Sequence, residues 1–178
     1  MGKKVRLLII CLTVLVIGTM MNTLNNILVR RNIMDINNFL QHGDFSDLKL
    51  TIYYVSPITL SQLPLSVKEL RQAGVDTKIT ISGCNLEEHV HLIEQLGNAQ
   101  LKPVTRKSRI DARLFYFFED IRSGRRYEVA MWGDMSAFIN GREVHIEPIF
   151  IEVVIPFLPQ NIAERYQSSV DRIREGVN

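Results

Sequence analysis

The chain has 178 residues, 46% hydrophobic and 22% charged, which is enough apolar content for one globular domain without a disulfide framework. Its formal net charge is +2, but Lys3, Lys4 and Arg6 are three of the 21 basic residues, and beyond them 18 basic side chains face 19 acidic ones. That near-neutral remainder argues against nucleic acid as a partner, and no basic stretch stands out to reverse the argument.

The leader "MGKKVR" runs into "LLIICLTVLVIGTMM" (7–21), and no charge occurs between Arg6 and Arg30. A bilayer core needs about 20 mostly apolar helical residues, and residues 7 to 27 supply them with the help of Thr23, Leu24 and Ile27. The other reading is a buried core helix, and fifteen apolar residues with no polar face argue against it. Residues 1–28 are therefore expected to form an uncleaved signal anchor, a single-pass transmembrane helix in the cell membrane. Lys3, Lys4 and Arg6 would stay cytoplasmic and the C-terminal domain would lie outside, although Arg30 and Arg31 weaken the asymmetry. The alternative is secretion after cleavage, for which Gly18-Thr19-Met20 is the best site and a poor one. A lipoprotein is disfavoured because Cys11 follows Ile10 and lies early in the run.

Residues 29–43 read as a helical stalk or linker, with Val29, Ile33, Ile36 and Leu40 in one apolar stripe and Gly43 as its stop. Two heptads are too few to define a coiled coil. Homodimerisation through this stripe, packing on the domain and a plain linker all stay open.

Residues 44–178 are expected to form one extracytoplasmic α+β domain. "LKLTIYYV" (48–55) alternates, putting Leu48, Leu50, Ile52 and Tyr54 on one face of a strand. "LSVKEL" carries a capping box, with Ser66 answered by Glu69 and a Leu65/Leu70 staple. "TKITIS" (77–82) reads as a second strand. "NLEEHVHLIEQLG" reads as one helix capped by Asn85 and Glu88, facing inward through Leu86, Val90 and Ile93. From Ile110 the period becomes two. "ARLFYFFEDI" and "RYEVAMW" flank the turn "RSGR", and "MSAFI" and "REVHI" flank Asn140-Gly141, a two-residue hairpin signal. Pro156 and Pro159 limit regular structure in "PIFIEVVIPFLPQ", and Ile162, Tyr166, Val170 and Ile173 mark a closing amphipathic helix. The predicted order is β-α-β-α-β-β-β-β-α, a largely antiparallel sheet with helices packed against it.

Alternation assigns the hairpin's faces. Ile139, Ala137 and Met135 share one face with Arg142, Val144 and Ile146, while Ser136, Phe138, Glu143 and His145 share the other. Trp132, Phe138 and His145 are the candidate binding surface. The plainer reading covers that face with the C-terminal helix or "FIEVVIPFLP", making Phe138 and Trp132 core residues.

Chemical motifs are sparse. Glu87 and His91, four apart on a helix, are weak candidates for metal ligands, but no complete ligand set accompanies them and His89 points elsewhere. Cys84 precedes a predicted helix N-terminus, where a thiol can become reactive; a small buried residue in a tight strand-to-helix turn is the plainer reading. Catalytic serine motifs, phosphate-binding loops and dinucleotide fingerprints are absent from the sequence. No cofactor or metal is expected, and there is no positive reason to name an enzyme.

"DFSDLKLTIYYVSP", "SGCNLEEHVHLIEQL", "EVAMWGDMSAFINGREV" and "VVIPFLP" together resemble a family of small, uncharacterised membrane-anchored or secreted proteins of Gram-positive bacteria, over residues 44 to about 160. The resemblance implies a fold and a place at the cell surface. It carries no ligand and no residue role. The expected function is a membrane-anchored binding or interaction module with a protein partner or a second copy. The alternative is an extracytoplasmic hydrolase or metal-dependent enzyme using His89, His91 or Cys84.

Overall fold

A computed structural model describes residues 10–20, 45–56, 64–72, 77–104, 111–132 and 136–175. Helix α1 covers residues 10–20, and every one of its side chains is exposed. The Thr19 hydroxyl donates back to the carbonyls of Leu15 and Val16 at 3.1 and 2.9 Å, so its polarity is satisfied within the helix. At roughly 1.5 Å per residue the described part of α1 spans about 16 Å. Among the described residues no helix is long and apolar enough to cross a membrane. The remaining parts of the expected anchor, 1–9 and 21–28, and the whole expected stalk, 29–43, lie outside the described residues.

From Phe45 onward the fold is α+β. A 3-10 turn (Phe45–Asp47) leads into β1 (Leu48–Tyr54), α2 (Val67–Gln72), β2 (Lys78–Ser82), α3 (Gly83–Glu87), α4 (Val90–Asn98) and a two-residue β3 (Lys102–Pro103). Then follow β4 (Leu114–Asp120), β5 (Arg126–Trp132), β6 (Ser136–Ile139), β7 (Arg142–His145), α5 (Ile149–Glu152), a second 3-10 turn (Ile155–Phe157) and α6 (Gln160–Arg174). The strands form one seven-stranded sheet ordered β2-β1-β4-β5-β6-β7-β3, with every neighbouring pair antiparallel. Because β2 and β3 occupy opposite edges, the chain crosses the full width of the sheet between them, carrying α3 and α4 on the way.

Period-two patterning gives this sheet two apolar faces. On the first, Leu50, Ile52, Tyr116, Phe118, Val129 and Ile139 meet Leu86, Ile93, Leu96, Phe150, Val154 and Val170 from the helices. Each side chain fully buried there contributes about 1.5–3 kcal/mol of transfer free energy. Tyr116 donates its hydroxyl to the Phe150 carbonyl at 2.9 Å, fixing α5 on the sheet. Tyr166 of α6 bridges the carbonyls of Val55 and Arg113 at 3.0 Å each, closing the ends of β1 and β4. On the second face Tyr53, Phe115, Phe117 and Ala130 pack with Ala112 and with Leu70 of α2. The capping box forms as expected: Ser66 N–H donates to Glu69 at 2.7 Å and Glu69 N–H to Ser66 Oγ at 3.2 Å.

Three expectations require correction. The predicted single helix after β2 is two, because the chain turns at Glu88 and His89, and His89 adopts φ −118° and ψ 21°. Gly83 rather than Asn85 begins α3, with Ser82 at the N-cap position and no side-chain cap. Helix α3 packs on the first 3-10 turn and α4 on α5, so the two halves follow different partners. Cys84 is exposed, not buried. Finally, α6 and the 149–158 segment cover the first face, so neither is the lid over Phe138.

Candidate functional site: the second face of the sheet

The hairpin turn closes as its residues dictate. Asn140 and Gly141 have φ of +47° and +79°, the left-handed pair a two-residue turn of the primed type needs. Asn140 also exchanges two 2.9 Å bonds with the Glu128 backbone, its N–H donating to the Glu128 carbonyl and its Oδ1 accepting from the Glu128 N–H. This pins β6 and β7 in register against β5. One cross-strand row then reads Ala130, Phe138 and Glu143; the next reads residue 132, Ser136, His145 and Lys102.

The three predicted surface residues therefore fall in two adjacent rows of one face. Phe138 is half-buried against the Phe115–Phe117–Ala130 cluster, and His145 is exposed. Residue 132 is placed here by backbone register alone. The β1–β4 side of the face is already occupied: Arg71 lies 5.9 Å from both the Tyr53 and Phe115 rings, Lys78 lies 5.7 Å from Tyr53, and Arg126 lies 4.9 Å from Phe117. Cations over ring faces gain electrostatically and shield those rings from a partner. Phe138, half-buried, and His145, exposed, lie toward the β6–β7 side of this face.

The residues raised for chemistry lie elsewhere. Glu87 ends α3 and His91 lies in α4, so the break at His89 removes the continuous helix that their pairing assumed. The His89 ring packs edge-on to Phe157 at 5.0 Å and lies 6.5 Å from the His91 ring. Among the described residues no three His, Cys, Asp or Glu side chains group as metal ligands.

Charged clusters that patterning did not reveal brace the sheet. Glu119 pairs with Lys49 and Arg126, each at 2.7 Å, and the hydrogen bonds from those two cations hold its carboxyl below the usual range. Asp111 accepts from the Leu65 N–H at 2.9 Å and from Arg113 at 2.6 Å, tying the start of α2 to β4. Arg113 is two residues from Asp111, but Leu65, Lys49 and Arg126 reach their acids from other segments of the chain, so no local signal marked those contacts. No family model, curated protein or solved structure matches the chain.

Proposed function

We propose that this chain is a single-pass membrane protein whose α+β domain lies outside the cytoplasm and serves as a binding or interaction module. The observation that carries the reading is α1. All of its residues are exposed, with Leu15 at 67% and Val14 at 65%, and among the described residues nothing buries its apolar side chains. Exposed apolar surface of that extent calls for lipid or a partner. The basic leader before it favours a cytoplasmic N-terminus. On the domain, the Phe138–His145 end of the second face is the proposed contact surface, with Trp132 as its third member. The partner is a protein, and a second copy of this chain is one form of it.

Cys84 offers the direct test of placement. A Cys11→Ser variant keeps Cys84 as its one thiol, since the chain has two cysteines. A membrane-impermeant maleimide should label Cys84 in intact cells, with the labelled chain in the membrane fraction. Labelling only after lysis would put the domain inside, and a shortened chain recovered from the medium would replace the anchor with a cleaved signal. Crosslinking in the same cells, compared between the wild type and Phe138→Ala and His145→Ala variants, then tests the surface. An adduct unchanged by both substitutions would remove this face from the reading.

A further inference from the structure

We propose that the β4–β5 turn, residues 121–125, is a contact with anionic lipid, in which Ile121 enters the bilayer interface and Arg122 and Arg125 meet lipid phosphates. The proposal rests on α1 being the membrane anchor. Ile121 is 58% exposed, the one large hydrophobic in the exposed class among the described residues outside α1. A lone exposed isoleucine is ordinary; its setting here is not.

First, the turn is held rigid. Asp120 accepts from the backbone N–H groups of Arg122 and Ser123 at 2.9 and 3.2 Å and from the Ser123 hydroxyl at 2.5 Å. Gly124 N–H donates to the Asp120 carbonyl at 2.8 Å, and Gly124 has φ +67°, a conformation suited to glycine. Ile121 is thus presented at little ordering cost. Second, the local acids are engaged. Asp47 pairs with Arg122, Glu119 with Lys49 and Arg126, and Asp120 with the turn itself. Arg125 is exposed and makes no ion pair among the described residues. An apolar side chain flanked by arginines suits the boundary between acyl chains and phosphates.

Third, the turn lies at the end of the domain that the chain reaches from α1. Ile121 N–H donates to the Asp47 carbonyl at 2.9 Å, and Arg122 Nε sits 2.5 Å from Asp47 Oδ2. The first described turn of the domain and the Ile121 turn therefore form one structural unit. An anchored domain experiences a high effective lipid concentration at that end, so a small contact suffices.

The test is photolabelling of the full chain in vesicles. One set contains equal parts phosphatidylglycerol and phosphatidylcholine, the other phosphatidylcholine alone, and both carry trace lipids with a diazirine in the headgroup or in the acyl chain. Acyl-chain adducts on residues of α1 report the anchor, and headgroup adducts on residues 121–125 report the contact. We expect both in anionic vesicles, with the turn adducts falling about five-fold in Arg125→Ala, the scale of one cation near an anionic surface, and falling also in Ile121→Ser, which removes the apolar insertion. Adducts on α1 without adducts on the turn overturn the contact and leave the anchor standing. Equal turn labelling in the two lipid compositions overturns the role of charge, and with it the proposal. Absence of adducts on α1 removes the anchor on which the proposal rests.

Discussion

A Cβ placed on Gly83 would lie 1.5 Å from the Phe45 carbonyl oxygen and 2.9 Å from Ser46 Cα. Both neighbours are backbone, so neither can swing aside. Gly83→Ala must push the first 3-10 turn away from α3, and we expect it to cost at least about 2 kcal/mol, as overpacking of a tight site does. Urea unfolding of the variant measures this; a change below about 0.5 kcal/mol would mean the two elements separate freely. Two neighbouring core tyrosines offer a second comparison. Tyr116 donates to Phe150, whereas the buried Tyr127 hydroxyl has no partner among the described residues. Tyr116→Phe should lose about 1 kcal/mol, while Tyr127→Phe should be neutral or stabilising, because it removes a desolvated group that gains nothing. Equal losses in the two variants would show that Tyr127 does have a partner.

At the scale of elements, α2 has only six residues and depends on its cap and on Leu70. Helices this short do not persist on propensity alone. Ser66→Ala should cost about 1 kcal/mol. The loss should be non-additive with Glu69→Ala, because the two side chains satisfy each other's backbone in a single motif. A double-mutant cycle in urea checks this, and strict additivity would show that the box contributes as two independent bonds. The stretch that forms α3 and α4 was legible as helix, but the break between them was not. "NLEEHVHLIEQLG" carries one helical period, and of its expected inward residues Leu86 and Ile93 are buried while Val90 is half-buried. The break between them follows from two packing partners, the 45–47 turn and α5, far apart in sequence.

At the scale of the molecule, ionisable groups of opposite behaviour bound the stable pH range. Hydrogen bonds from Lys49 and Arg126 lower Glu119, and hydrogen bonds from the Ser123 hydroxyl and backbone lower Asp120. A lowered carboxylate contributes stability above its unfolded value, and that contribution is lost as pH falls through the folded one. Tyr116, Tyr127 and Tyr166 are raised, chiefly by burial. Their contribution is complete below the unfolded tyrosine value and is lost as pH rises past it. Thermal unfolding midpoints should therefore be level between about pH 5 and 9 and decline on both sides. Glu119→Gln should lower the plateau and flatten the acid limb. Retention of the full acid slope in that variant would assign it to other carboxylates.

The sequence by itself determined what depends on near neighbours. Alternation at Leu48–Tyr54 and Leu114–Phe118 specified which side chains share a face, Asn140-Gly141 specified a turn, and Ser66-x-x-Glu69 specified a helix start. Each is set by backbone geometry within a few residues, and so each is legible locally. Tertiary structure alone decided the rest. It put β2 and β3 at opposite edges and sent α5 and α6 to the first face, leaving the Phe138 face to α2 and a row of cations. A strand with two apolar faces, such as Leu114–Phe118, does not encode which helix will cover which face. That choice depends on the joint burial of residues more than a hundred positions apart, as when the Tyr166 hydroxyl reaches the carbonyls of Val55 and Arg113.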